Sequence, residues 1–231
     1  MEPSSMPAPP RDGAECGHDH AVEFYETSAF LVETVCAFVA PALLARNSAV
    51  VVATPEHREA FATALSAAGV DVDAAIVDGR YVVFDAAELL SMFMVDGAPH
   101  PGLFREVVGA VLSRASAGGR QVKVYGEMVA LLWADGDVTS TIALEDLWND
   151  LAAEHSFALL CAYPLQGFDD AARAAFKQIC TQHSAVIPAE SYSLSVTADE
   201  QQRIVAGLQQ ETIELRAELQ RMRDAQAVQD G

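Results

Sequence analysis

Apolar residues along this chain fall into short, dense runs separated by longer stretches in which they recur every three or four positions. Ala49–Ala53, Tyr81–Phe84, Gln121–Tyr125, Phe157–Tyr163 and His183–Ile187 are the short runs. Rich in Val, Phe and Tyr, they predict strands covered on both faces. The stretches between them read as helices. Phe30, Leu31, Thr34, Val35, Phe38 and Val39 line one face of a segment running from Ala21 to Leu44, with Ser28 placed to cap it. Pro55–Ala68 opens on a proline and stops at Gly69, each favoured at that end of a helix. Further helices are expected at about Ala86–Met94, Leu103–Ala117, Glu127–Trp133, Thr139–Glu154 and Phe168–Thr181, with Asp96–Gly102 as a loop. Strands alternating with helices predict an α/β fold, a mainly parallel sheet with helices on both faces.

Ligands on such sheets bind beyond the carboxyl ends of the strands. Here those ends carry Thr54 to His57, Asp85, Gly126-Glu127 and Tyr163-Pro164. The first is informative. Ala49 to Phe61 reads as strand, tight turn and helix, the setting in which nucleotide-binding proteins keep a phosphate loop. That loop needs glycines for close backbone approach and a lysine to meet the charge. The turn instead offers Thr54, Pro55, Glu56 and His57, adding a carboxylate where phosphate would sit. Glu127 reads either as a helix-terminal acid stabilised by the dipole or as a polar contact in a ligand cavity. No Gly-x-Ser-x-Gly elbow or zinc-protease helix is present, so a non-enzymatic role is expected. Phe24, Tyr25, Trp133, Trp148 and Tyr163 lie near strand ends, where they serve either as core or as the walls of an apolar site.

Metal chemistry has weaker support. Cys16, His18 and His20 cluster near the start, and Cys180 with His183 forms a second pair, but neither has paired-motif zinc spacing. Cys36 and Cys161, inside apolar elements, read as small core residues. No motif calls for a cofactor. The formal charge of −19, from 14 basic and 33 acidic residues in 231, disfavours nucleic acid and anionic membrane. Met1–Pro10 lacks the apolar core of a signal peptide, and Ala29–Ala45 is broken by Glu33 and Pro41. A cytoplasmic protein is expected.

Three regions follow: a polar lead-in over 1–17, an α/β body over 18–195 and a helix over 196–231. In the last, Val205, Leu208, Thr212, Leu215, Leu219 and Met222 form a heptad seam. One reading folds this helix back on its own domain. The favoured reading is a parallel coiled coil that dimerises the chain through residues 199–225.

Several strings are recognisable together: His20-Ala21-Val22-Glu23-Phe24-Tyr25-Glu26, Ala53-Thr54-Pro55-Glu56-His57, Tyr125 to Trp133, Leu147-Trp148-Asn149, Leu160 to Pro164 and Cys180 to Ser184. In this order they resemble the MEDS domain, the sensory domain named for methanogens, methylotrophs and the regulator DcmR. The resemblance implies a RecA/KaiC-like core without a working phosphate loop, a small hydrocarbon-derived ligand, and coupling to a kinase, anti-sigma or transcription-regulatory partner. Family motif positions fall on His20, Phe24, Tyr25, Thr54, His57, Gly126, Glu127, Trp148, Tyr163, Cys180 and His183. The resemblance does not say which of these touch a ligand; taken with the aromatic residues near the strand ends, the expected ligand contacts are His20, Phe24, Tyr25, Thr54, His57, Glu127, Trp133, Trp148, Tyr163 and His183. The alternatives are a metal- or redox-dependent switch on Cys16, His18, His20, Cys180 and His183, or a degenerate NTPase.

Overall fold

The computed structural model describes residues 19–165 and 173–193, together with the isolated positions 210 and 221. The chain divides into two units, Pro7–Tyr192 and a second made of Met1–Met6 with Ser193–Gly231. The first unit is the α/β body. The proposed coiled coil, Cys16 and His18 lie outside the described residues.

The order of elements is β1 (His20–Tyr25), α1 (Ser28–Leu44), β2 (Ser48–Ala53), α2 (Pro55–Ala67), α3 (Val72–Val77), β3 (Tyr81–Asp85) and α4 (Ala86–Ser91). A small antiparallel hairpin of β4 (Met94–Val95) and β5 (Ala98–Pro99) follows, then α5 (Pro101–Ala115) and β6 (Val122–Gly126). The unit closes with α6 (Met128–Ala134), α7 (Val138–Ala152), β7 (Ala158–Pro164), α8 (Arg173–Gln182), β8 (Ala185–Ile187) and α9 (Glu190–Ser193).

Six strands pair in parallel in the order β3-β2-β6-β7-β1-β8. Side-chain alternation divides the core in two. Ala49, Val51, Ala53, Tyr125, Leu160 and Ala162 face α1 and α2, whereas Val50, Val52, Val124, Leu159, Cys161 and Tyr163 face α4 to α8. Both faces of these strands are buried, which is why they read as apolar runs rather than as alternating ones.

The first element differs from expectation. His20–Tyr25 is a strand, not the start of a helix, and it lies inside the sheet between β7 and β8. Its even residues, Val22 and Phe24, enter one core while Tyr25 enters the other. Burial on both faces hid the period of two and let the run merge with the apolar stripe of α1. The helix begins only after Thr27, whose hydroxyl accepts the Phe30 N–H at 3.3 Å, so Thr27 rather than Ser28 is the cap. The segment expected to be a loop at Asp96–Gly102 holds the β5 arm of the hairpin and the start of α5.

Topology singles out one position. The chain leaves β2 toward β3 and leaves β6 toward β7, in opposite directions along the sheet. Neighbouring strands whose exits diverge open a crevice at their carboxyl ends, the switch point of an open parallel sheet. Thr54 and Glu127 are the residues that follow these two strands.

Candidate functional site

Among the described residues of the α/β unit, two buried polar clusters stand out, one on each face of the sheet. The first fills the switch point. Glu127, 3% exposed, turns its carboxylate back across the gap to β2. Its Oε2 accepts the Thr54 N–H at 2.7 Å, and its Oε1 accepts from His57 Nδ1. The Glu127 N–H meanwhile donates to Val52 O at 2.9 Å. His57 reaches this carboxylate because Pro55 starts α2 directly after β2, which puts His57 in the first turn facing inward. On its other side His57 Nε2 meets Ser28 Oγ at 3.2 Å. The Glu127 hydrogen bond raises the His57 pKa above its ordinary value, against the opposing effect of burial. Tyr25 packs edge-on against His57, with ring centres 6.5 Å apart. Every oxygen of Glu127 is therefore engaged, and the backbone N–H a phosphate would use is already taken by a resident carboxylate.

Close by on the same face sits Glu23, fully buried in β1. Neither of its oxygens makes a hydrogen bond among the described residues. Burial pushes its pKa up to about 8, with a weak contact to Thr34 pulling the other way and the Glu190 charge adding to the rise. At neutral pH it is a neutral acid inside an apolar layer.

The second cluster lies under α7 on the opposite face. His20 comes from β1, Cys161 from β7, Glu145 from α7, and His183 from the turn between α8 and β8; all four are buried. His20 Nε2 is 3.3 Å from Glu145 Oε2 and 3.4 Å from Cys161 Sγ. Cys161 Sγ and His183 Nε2 each lie 3.5 Å from the same Glu145 oxygen. The outward ring nitrogens are also held. His183 Nδ1 donates to Ile179 O at 2.6 Å, and His20 Nδ1 lies 2.9 Å from Asn149 Oδ1. The Asn149 amide NH2 faces Gln182 O at 3.4 Å, which turns its oxygen toward His20. Tyr163 donates its hydroxyl to the remaining oxygen, Glu145 Oε1, at 2.5 Å. Burial acts to raise the Glu145 pKa, but hydrogen bonds and charge from His183 and His20 outweigh it and hold the carboxyl at about 2.

The expected contacts thus divide between two faces. Tyr25, Thr54, His57 and Glu127 assemble at the switch point. His20, His183, Phe24, Trp133, Trp148 and Tyr163 lie on the other side of the sheet. There Phe24 stacks on Tyr163 at 6.1 Å and meets Phe176 at 4.6 Å, and Trp133 stands edge-on to Tyr163 at 6.0 Å. Trp148 packs instead with Phe104 and Phe157. Cys180 is a half-buried thiol against the apolar core, and the cluster that unites His20 with His183 takes Cys161 and Glu145 in its place. Cys161 had looked like core because its strand is apolar throughout. Glu145 was passed over although one signal was present: it stands with Thr141, Leu144 and Trp148 on the buried stripe of α7, where a lone carboxylate is out of place.

The family model for the MEthanogen/methylotroph, DcmR Sensory domain, MEDS, matches residues 19–184, and this chain belongs to that family. No curated protein matches the chain. Among solved structures it is similar to an uncharacterized protein from Pyrococcus horikoshii crystallised in complex with an unknown peptide. The TM-score is 0.51 at 12% identity, over 74% of this chain and 77% of that one. At that identity the likeness concerns the fold alone. No helix among the described residues is long and apolar enough to cross a membrane.

Proposed function

We propose that this sensory domain recognises a small, uncharged and largely apolar molecule, without turning it over, at the carboxyl edge of its sheet. The observation that carries the reading is Glu127 bonded to the Thr54 N–H at the switch point. A bound phosphate would have to displace a paired carboxylate and then face its charge, with no lysine in the turn to offset it. A neutral ligand pays no such penalty. The aromatic group of Phe24, Trp133, Tyr163 and Phe176 supplies the kind of apolar, rigid wall that small-molecule sites use.

In this reading the domain works in the cytoplasm and passes its state through the 199–225 seam, as a homodimer, to a kinase, anti-sigma or transcription-regulatory partner. The test uses the full chain. Thermal shift and native mass spectrometry are run with short alcohols, amines and halogenated hydrocarbons, and with ATP-Mg. Stabilisation by a member of the neutral panel, reduced at least tenfold in affinity by Trp133→Ala, supports the proposal. ATP binding with turnover that Glu127→Gln abolishes would establish the degenerate NTPase instead.

A further inference from the structure

We propose that His20, Glu145, Cys161 and His183 form a closed four-ligand site for a divalent transition ion of the zinc class. The tautomers argue first. A backbone carbonyl only accepts, so His183 Nδ1 must carry the proton it shares with Ile179 O. The Asn149 oxygen fixes His20 Nδ1–H in the same way. In their neutral forms both imidazoles therefore aim an Nε2 lone pair at one carboxylate oxygen and one sulfur. Lone pairs and a carboxylate do not attract one another; a shared cation satisfies all of them.

The proton-only network that pairs every atom, with the Cys161 S–H on His20 Nε2 and a protonated His183 on Glu145, rests on long contacts of 3.4 and 3.5 Å, and the others leave an atom unpaired. A proton on His20 Nε2 pairs that ring with Glu145, and the Cys161 S–H can point at the same oxygen. His183 Nε2 then remains a buried nitrogen without a hydrogen-bond partner among the described residues. Protonating both rings sets two imidazolium ions with centres 4.0 Å apart. The geometry favours the cation. Tetrahedral bonds of about 2.0–2.3 Å to nitrogen, oxygen and sulfur require ligand-to-ligand edges of roughly 3.3–3.6 Å. Four edges here measure 3.3 to 3.5 Å, and all the ligating atoms lie within 4.8 Å of one another.

The donor set selects the ion. Two imidazoles and a thiolate disfavour calcium and magnesium, which take oxygen ligands, and suit zinc. A thiolate and a carboxylate also cancel one charge each of a dication, so the buried site carries no net charge. The supporting contacts agree, since metal-bound histidines donate their other N–H to a carbonyl or amide oxygen, and the carboxylate is held by Tyr163. Four protein ligands leave no open position, so the ion would be structural or regulatory rather than catalytic. It would tie β1, β7 and α7 to the α8–β8 turn.

This proposal stands independently of the ligand reading above. The full chain is prepared without a histidine tag and its metal content measured; one zinc per chain is expected. Replacing zinc with cobalt(II) should give the intense visible bands of a tetrahedral site and a sulfur-to-metal charge-transfer band. Cys161→Ser should remove that band and weaken metal binding by more than about 100-fold, beyond the range of a supporting contact, while far-UV circular dichroism is kept. If Cys161→Ser fails to fold, Glu145→Gln supplies the affinity measurement. Absence of metal together with no uptake of micromolar zinc or cobalt would overturn the proposal. So would metal retained undiminished by Cys161→Ser and Glu145→Gln, or stoichiometric iron or copper.

Discussion

The two buried carboxylates, Glu127 and Glu145, sit on opposite faces of one sheet and are completed in opposite ways. Around Glu127 every acceptor meets a donor: a backbone N–H on one oxygen and an imidazole N–H on the other. Around Glu145 one oxygen is met by the Tyr163 hydroxyl, while the second gathers two imidazole nitrogens and a sulfur at 3.3 to 3.5 Å. The first cluster is finished by protons; the second has the spacing and donor set of a cation site. Both are buried acids beside histidines, so composition alone would not separate them. The direction in which each imidazole spends its N–H does.

The largest expected effect separates the two acids directly. Glu145→Ala strips the shared partner from two buried imidazoles and should cost about 3–5 kcal/mol in urea unfolding. Glu127→Ala should cost about 2–3 kcal/mol, because Thr54 is only half-buried and His57 keeps Ser28 as a second partner. Added zinc should raise the unfolding midpoint of wild type and of Glu127→Ala but not of Glu145→Ala. An equal response in all three would erase the distinction.

A third acid sharpens it. Glu23 has no cation beside it and only a weak contact to Thr34, and burial has lifted its pKa to about 8 from 4.5. Below about pH 4.5 it is protonated whether the chain is folded or not. Between there and about pH 8 the unfolded chain releases the proton while the folded one holds it, so stability falls as pH rises and is flat beyond. The shift bounds the effect at about 5 kcal/mol. Glu23→Gln should flatten this slope and add roughly 2 kcal/mol at pH 8.5, measured by chemical unfolding across the range. A slope unchanged in the variant would assign the pH dependence elsewhere. His57 contributes in the same sense: with its pKa raised by Glu127, its stabilisation is complete below pH 6.5 and is lost as pH climbs through the raised value.

The smallest effect tests the join between aromatic wall and acid cluster. Tyr163→Phe deletes one hydrogen bond to Glu145 and should cost about 1 kcal/mol, with metal affinity reduced about tenfold. Unchanged affinity would leave Tyr163 as wall alone.

How far these features could be read from the chain depended on how locally each is written. β2, β6 and β7 are dense apolar runs, and their ends placed Thr54 and Glu127 at the sheet edge before any coordinates. That the two would share one crevice required the strand order, which no local pattern encodes. β1 was lost because its alternation is covered on both faces and abuts another apolar stripe. The Cys/His pairings failed for a similar reason. Nearness in sequence favoured Cys180 beside His183, whereas parallel register sets His20 opposite Leu159 and so brings Cys161, two residues on and facing the same side, within reach of its ring. Glu145 was legible in principle as a misfit in a helix stripe, but a single charge gives no hint of its partners.

The short edge strand β8 is held at both ends by side chains rather than by length. Before it, His183 is anchored in the acid cluster and Ser184 Oγ donates to His20 O at 2.9 Å; after it, Glu190 accepts the Glu26 N–H at 2.8 Å. Three residues of ladder alone are a loose hem, and these stitches are what keep it sewn to β1. Loosening the His183 stitch would therefore free the hem at its first end, leaving the Glu190 tie to hold β8 alone.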